Sequence, residues 1–220
     1  MNPITKKFQL SDGREISIET GRLAKQADGS VVVRMGDTML LATVVSKTEA
    51  GEGVDFLPLS VDYQEKFAAA GKIPGGFFKR EARPSTAETL IARLIDRPLR
   101  PCFPKGFHND IQVIINVLSH DPSVHIEPLA ITAASAALSV SDIPFNGPIG
   151  AVVVGYLNGN YIFNPSTEDL AASDLHLVVA GNEEAVLMVE AGANELSEDI
   201  IIEAILQGHA HIKETISLQN

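Results

Sequence analysis

Apolar and polar positions alternate from Asp110 to His120. Ile111, Val113, Ile115 and Val117 stand against Gln112, Ile114 and Asn116, the period of a half-buried strand. The same alternation, broken by turn residues, predicts hairpins elsewhere. Lys6–Leu10 and Arg14–Glu19 flank Ser11-Asp12-Gly13, and Val31–Arg34 and Thr38–Val45 flank Met35-Gly36-Asp37. Ile149–Gly155, Asn158-Gly159 and Tyr161–Phe163 carry the strongest hairpin signal, because Asn-Gly suits a two-residue turn. Leu57–Tyr63 is a further strand, and Leu175–Ala180 with Ala185–Glu190 the last pair.

Three stretches change to helical spacing. Pro84 and the capping-box sequence Ser85-Thr86-Ala87-Glu88 open the first. Leu90, Ile91, Leu94 and Ile95 give it an apolar face, and Pro98 should end or kink it near Arg97, with Arg100 just past its end. Pro128–Val140, rich in alanine and serine, is a helix whose small side chains allow close packing. Ser197–Ile216 is a long terminal helix started by Ser197, Glu198 and Asp199. Strands grouped around two or three helices predict an α+β fold, and with no linker or low-complexity tract the simplest parse is one domain.

Composition narrows the class. A chain of 220 residues, 45% hydrophobic and 20% charged, can bury a sizeable core. Cys102 is the single cysteine, so no intrachain disulfide can form, which fits a reducing compartment and a buried structural thiol. Met1–Lys7 has no apolar core, so no signal peptide is expected. No apolar run approaches the ~18 residues of a membrane span.

Charge then singles out one segment. The formal net charge is -11, yet Phe77-Phe78-Lys79-Arg80, Arg83, Arg93, Arg97 and Arg100 place six cations and two aromatics within 24 residues. Gly75 and Gly76 free the backbone for an exposed loop. Aromatic rings flanked by cations suit single-stranded nucleic acid: bases stack, and the cations meet phosphate. Arg93, Arg97 and Arg100, four and three apart, line a second helix face, and arginine suits bidentate phosphate recognition. Residues alone leave two readings open here, an anion-binding stripe and a solvated helix face.

Other chemistry is missing from the pattern. There is no GxGxxG between strand and helix and no GxxxxGK[ST]. His209 and His211, two apart on a helix, point away from each other, and no cysteine pair completes a zinc site. His108, His120, His125 and His176 are scattered and read as surface or satisfied histidines. Glu183-Glu184 reads as a solvated turn, and Glu198-Asp199 as a helix start.

The run AAGKIPGGFFKREARPSTAETLIARLIDRPLRP, Ala69 to Pro101, closely resembles the N-terminal core of the bacterial polynucleotide phosphorylase family. So do YQEK at Tyr63–Lys66, SDIPFNGPIGA at Ser141–Ala151 and DLHLVVAG at Asp174–Gly181. The likeness runs from Asn2 to about Gly208, in order and with family-like spacing. It implies an RNase PH-like α+β fold and 3′-to-5′ degradation of RNA by inorganic phosphate, releasing nucleoside diphosphates. It also implies a homotrimeric ring around a channel, a cytoplasmic location, and a possible RNA-degradation complex with a ribonuclease or helicase. Residues 1–220 would be the first RNase PH-like domain of a longer chain, with the helix at about 197–217 leading toward a helical domain.

In that family the second RNase PH-like domain carries the active site, which uses a serine run for phosphate, and aspartates with a lysine for Mg²⁺ or Mn²⁺ and the scissile phosphate. Here the serine run falls near Val124-His125-Ile126-Glu127, which has no adjacent serines and brings an acid instead. The aspartates fall near Leu170 and His176 and the lysine near Val178, leaving Asp174 as the carboxylate in place. The resemblance therefore implies no catalytic residue, metal site or cofactor in this segment. Phe77, Phe78, Lys79 and Arg80 match the family's aromatic-basic constriction loop, with Lys79 where arginine is commonest. Arg83, Arg93, Arg97 and Arg100 match basic positions that touch RNA or phosphate or brace a subunit interface. The alternative expectations are a stand-alone, non-catalytic ring subunit or RNA-binding module, and a small-molecule enzyme for an anionic substrate. The last gives no role to Phe77 and Phe78.

Overall fold

A computed structural model describes residues 2–10, 13–75, 81 and 83–219. In chain order, β1 (Ile4–Gln9), β2 (Glu15–Thr20), β3 (Gly29–Met35) and β4 (Thr38–Ala50) are followed by β5 (Leu59–Glu65) and a 3-10 turn, Phe67–Ala70. Helix α1 (Thr86–Leu99), β6 (Asn109–Ser119) and α2 (Ile126–Ser139) come next. The second half holds β7 (Gly150–Leu157), β8 (Asn160–Phe163), α3 (Thr167–Ala171), β9 (Leu175–Gly181), β10 (Val186–Ala193) and α4 (Glu198–Gln219).

Two sheets result. The first has the order β1-β2-β3-β4-β6-β5 and the second β10-β9-β7-β8. All neighbours run antiparallel except β5 beside β6, where Leu59 pairs with Ile111 and Glu65 with Val117 in parallel. Alternation decides which face is buried. Val31, Val33 and Met35 on β3, Leu40, Ala42 and Val44 on β4, and Ile111, Val113, Ile115 and Val117 on β6 all point into one core. The central strands of the second sheet, β7 and β9, are covered on both faces and are almost wholly apolar, whereas β10 is exposed from Glu190 to Ala193. Ala151, Val153, Val178 and Ala180 face the main core, while Val152, Val154, Leu177 and Val179 pack with Ala204, Ile212 and Ile216 of α4.

α1 and α2 lie side by side between the sheets, which makes the layers sheet, helix pair, sheet, helix. Small residues permit this: Ala130, Ala133, Ala134 and Ala137 of α2 are fully buried. At Gly29 a Cβ would come within 2.1 Å of the Ala137 carbonyl oxygen, so β3 and α2 touch backbone to backbone there. Ser135, buried in α2, donates to Gln219 Oε1 (2.7 Å) and accepts the Ile149 N–H (2.8 Å). Gln219 Nε2 returns a bond to Ile149 O at 2.8 Å, tying the end of α4 to α2 and β7.

The pattern-based elements are present, with corrections at their ends. α1 does not stop at Arg97: it carries Pro98 inside it to Leu99 and continues as a 3-10 turn, Arg100–Cys102. Pro98 has no N–H to give, yet its ring is buried, and the Arg100 N–H still reaches Asp96 O, so packing outweighs the lost bond. Leu90, expected on the apolar face, is 59% exposed, because it lines an open cleft beside β10 and not the core. β5 begins and ends two residues later than the pattern suggests. α3 went unpredicted; at five residues it is too short to show a period. Asn158 and Gly159 both take positive φ, as the Asn-Gly turn requires. Cys102 is buried and free, and burial pushes its thiol pKa up to about 11.

Candidate nucleic-acid interface

Ser85 fixes the start of α1. Its hydroxyl accepts the Glu88 N–H, and Glu88 returns a carboxylate to the Ser85 N–H. The helix then carries Arg93 and Arg97 along one side, one turn apart, over the β10 edge of the second sheet. There they meet a cleft of about 530 Å³, lined also by Glu127 from the first turn of α2, His176 and Val178 from β9, and Glu190 from β10.

The arginines differ in what they have left to give. Arg97 pairs with Glu190, both about half exposed. Arg100 is spent inside the chain: it pairs with Asp96 at 2.7 Å and donates to Leu57 O and Leu59 O at 3.0 and 3.3 Å. Leu59 opens β5 and Leu57 lies two residues before it, so Arg100 braces the entry to that strand. Arg93 and Arg83 have no hydrogen bond or ion pair among the described residues. Arg93 opens on the cleft, and Arg83 on a smaller one at the end of β5. Phe77, Phe78, Lys79 and Arg80 lie outside the described residues.

The histidines are less scattered than their spacing suggests. The His125 and His176 rings stand 6.4 Å apart, since β9 runs past the N-terminus of α2. Burial lowers the His125 pKa, and His176 and Arg14 add to the effect, against Glu127 and the Ser166 backbone. Its Nε2 is buried without a hydrogen-bond partner among the described residues. Glu127, His176 and Val178 therefore line one cleft beneath two arginines. Asp174 does not line it, and its backbone is used in pairing with Tyr156 and Asn194. Among the described residues no group of three or more His, Cys, Asp or Glu is placed to hold a metal ion. Sequence reasoning missed Glu190, because its partner lies 93 residues away and no local pattern signals the pair.

Comparison with known proteins agrees with this architecture. Residues 12–144 match the 3′ exoribonuclease family, domain 1, and residues 147–211 match domain 2 of the same family. The chain belongs to the 3′ exoribonuclease family. The boundary between the two matched stretches falls just before the second sheet begins. The chain is 61% identical over 207 residues to a polyribonucleotide nucleotidyltransferase of Chloroflexus aurantiacus, covering 94% of this chain and 27% of that protein. A polyribonucleotide nucleotidyltransferase of Roseiflexus castenholzii is 58% identical over 208 residues, covering 94% and 28%. The chain thus spans about a quarter of the length of these relatives. In three dimensions it resembles rice Rrp46, with TM-score 0.75, 20% identity, and 93% and 92% of the two chains covered. It also resembles a chain of the Archaeoglobus fulgidus exosome solved with RNA bound to the active site, with TM-score 0.74, 18% identity, and 94% and 91% covered. At such identities these two structures speak for the RNase PH-like fold. No described helix is long and apolar enough to cross a membrane.

Proposed function

We propose that this chain is the RNA-guiding, non-catalytic part of a 3′-to-5′ phosphorolytic exoribonuclease core. Single-stranded RNA is its ligand, and its cations and aromatics grip the strand. Inorganic phosphate and nucleoside diphosphates, and the Mg²⁺ or Mn²⁺ they require, belong to a second RNase PH-like domain of the full protein. The assembly is a homotrimeric ring in the cytoplasm, open to a ribonuclease or helicase partner.

The observation that carries this reading is the make-up of the cleft under α1. On the correspondence drawn above, Glu127 and His176 occupy positions that serve phosphate and metal in the family's active domain. Glu127 repels phosphate, and His176 beside Arg93 and Arg97 makes a poor ligand set for a divalent cation, which prefers oxygen donors and negative charge. No step is therefore assigned to a metal here. Arg93 keeps its guanidinium free for a phosphate of a passing strand. At the loop, Phe77 and Phe78 supply stacking and Lys79 and Arg80 the adjoining charge, a reading carried by sequence.

The test is direct. The 220-residue chain, incubated with single-stranded RNA, phosphate and Mg²⁺ or Mn²⁺, should release no nucleoside diphosphate above background. Release at the rate of an active phosphorolytic exoribonuclease would overturn the assignment.

A further inference from the structure

A second cluster sits between the end of β5 and the start of α1. Phe67 stands just after β5, and Glu81 five residues before α1. There Glu81 Oε1 accepts the Phe67 N–H at 2.6 Å, and Oε2 lies 3.8 Å from Lys66 Nζ. Glu88 makes a parallel tie: Oε1 accepts the Glu65 N–H at 2.8 Å while Oε2 accepts the Ser85 N–H at 2.6 Å. Glu65 itself accepts the Tyr63 O–H at 2.7 Å. Bonds of this kind, between a carboxylate and N–H donors, are short and strong. They pin the end of β5 to the start of α1.

The consequence lies in what remains. All three carboxylates facing this junction are taken up by donors of their own chain. Lys66 is taken up too, by Gln64 Oε1 at 2.7 Å and by Glu81. Two groups are left over. Phe67 is 46% exposed on a pinned backbone. The Arg83 guanidinium is unpartnered among the described residues. Both line a cleft of about 120 Å³. A half-exposed ring on a pinned backbone, lining one cleft with a guanidinium unpartnered among the described residues, presents a flat face for a base and a fork for its phosphate.

We infer that Phe67 and Arg83 form a nucleotide contact for single-stranded RNA between β5 and α1, with the base on the Phe67 ring and the phosphate on Arg83. Glu81 is the positioning residue, fixing the Phe67 backbone. The inference rests on the RNA-guiding reading above and adds a site to it. It also explains why a large apolar side chain is left in water next to a cation with no acid of its own.

The experiment is binding of a labelled single-stranded oligoribonucleotide to the full natural chain at several salt concentrations. Phe67→Ala should weaken binding about tenfold or more, in the range expected for one lost base stack. Phe67→Tyr should keep it. Phe67→Leu fills the space but has no π face, so it should bind as poorly as Phe67→Ala; a packing or protein-contact role would be rescued by leucine. Arg83→Ala should reduce the slope of log K against log salt by about 0.7, the share of one phosphate on a single strand. Glu81→Ala should weaken binding and Glu81→Gln restore it, since glutamine still accepts the Phe67 N–H. In the Phe67→Ala background, Glu81→Ala should add little, whereas general loss of fold would weaken both backgrounds alike. If Phe67→Leu binds RNA like the parent while Phe77→Ala with Phe78→Ala does not, the RNA-guiding reading stands and the site at Phe67 and Arg83 falls. If neither affects binding, both fall.

Discussion

Burial holds the His125 imidazole neutral. Its Nε2 is enclosed without a hydrogen-bond partner among the described residues, and His176 and Arg14 make a further positive charge unwelcome, although Glu127 pulls the other way. The pKa in the fold therefore lies below the ordinary 6.5. The unfolded chain binds a proton at higher pH than the folded one, so this group adds stability above about pH 6.5. That stability is lost as pH falls through the folded pKa. Unfolding by denaturant at about pH 7 and about pH 5 should show the parent losing more stability than His125→Gln does. Equal losses would mean that His125 ionises freely in the fold. The same residue marks a limit of reading by spacing. His125 and His176 look unrelated in sequence, and only the crossing of β9 past α2 brings their rings to 6.4 Å.

At the scale of elements, strands were legible wherever one face is buried, as on β3, β4 and β6, because the pleat forces alternation. The parallel partnership of β5 and β6 was not, since nothing in either strand encodes its partner. Pro98 misled in the other direction. A proline rule drawn from exposed helices stops the helix, whereas here the ring is buried and the helix runs on. Arg93, Arg97 and Arg100 were visible as a stripe, but their different duties depend on Glu190 and on the Leu57 and Leu59 carbonyls, all distant in sequence. α2 gives the clearest test of packing. Its alanines let β3 approach until Gly29 meets the Ala137 carbonyl. α2 is buried between two sheets and cannot back away, so Gly29→Ala should cost about 1–3 kcal/mol, the usual range for overpacking. Chemical denaturation would read this as a lower midpoint with unchanged slope, and a stability equal to the parent's would show that β3 and α2 have room to part.

At the scale of the whole molecule, the acid excess repels RNA except where cations gather. With a net charge of -11, the RNA binding proposed for this chain must be local and must depend on which arginines are free. Arg93 faces the cleft without a partner among the described residues, while Arg100 spends its donors on Asp96 and on the carbonyls of Leu57 and Leu59. Two substitutions that remove the same charge should therefore act differently. Arg93→Ala should leave stability nearly unchanged and reduce the slope of log K for single-stranded RNA against log salt by about 0.7, as one phosphate contact and its released counterion are lost. Arg100→Ala should leave that slope close to the parent's and lower stability instead, by about 1–3 kcal/mol, because two backbone carbonyls and the Asp96 carboxylate lose a charged donor. Salt titration of RNA binding, beside chemical denaturation of the same proteins, separates the two. Had mere proximity of charge governed binding, both arginines would shift the slope alike, since Arg93 lies on α1 and Arg100 directly follows its end. A measured exchange of roles, with Arg100 moving the slope and Arg93 the stability, would overturn the assignment of Arg93 to RNA.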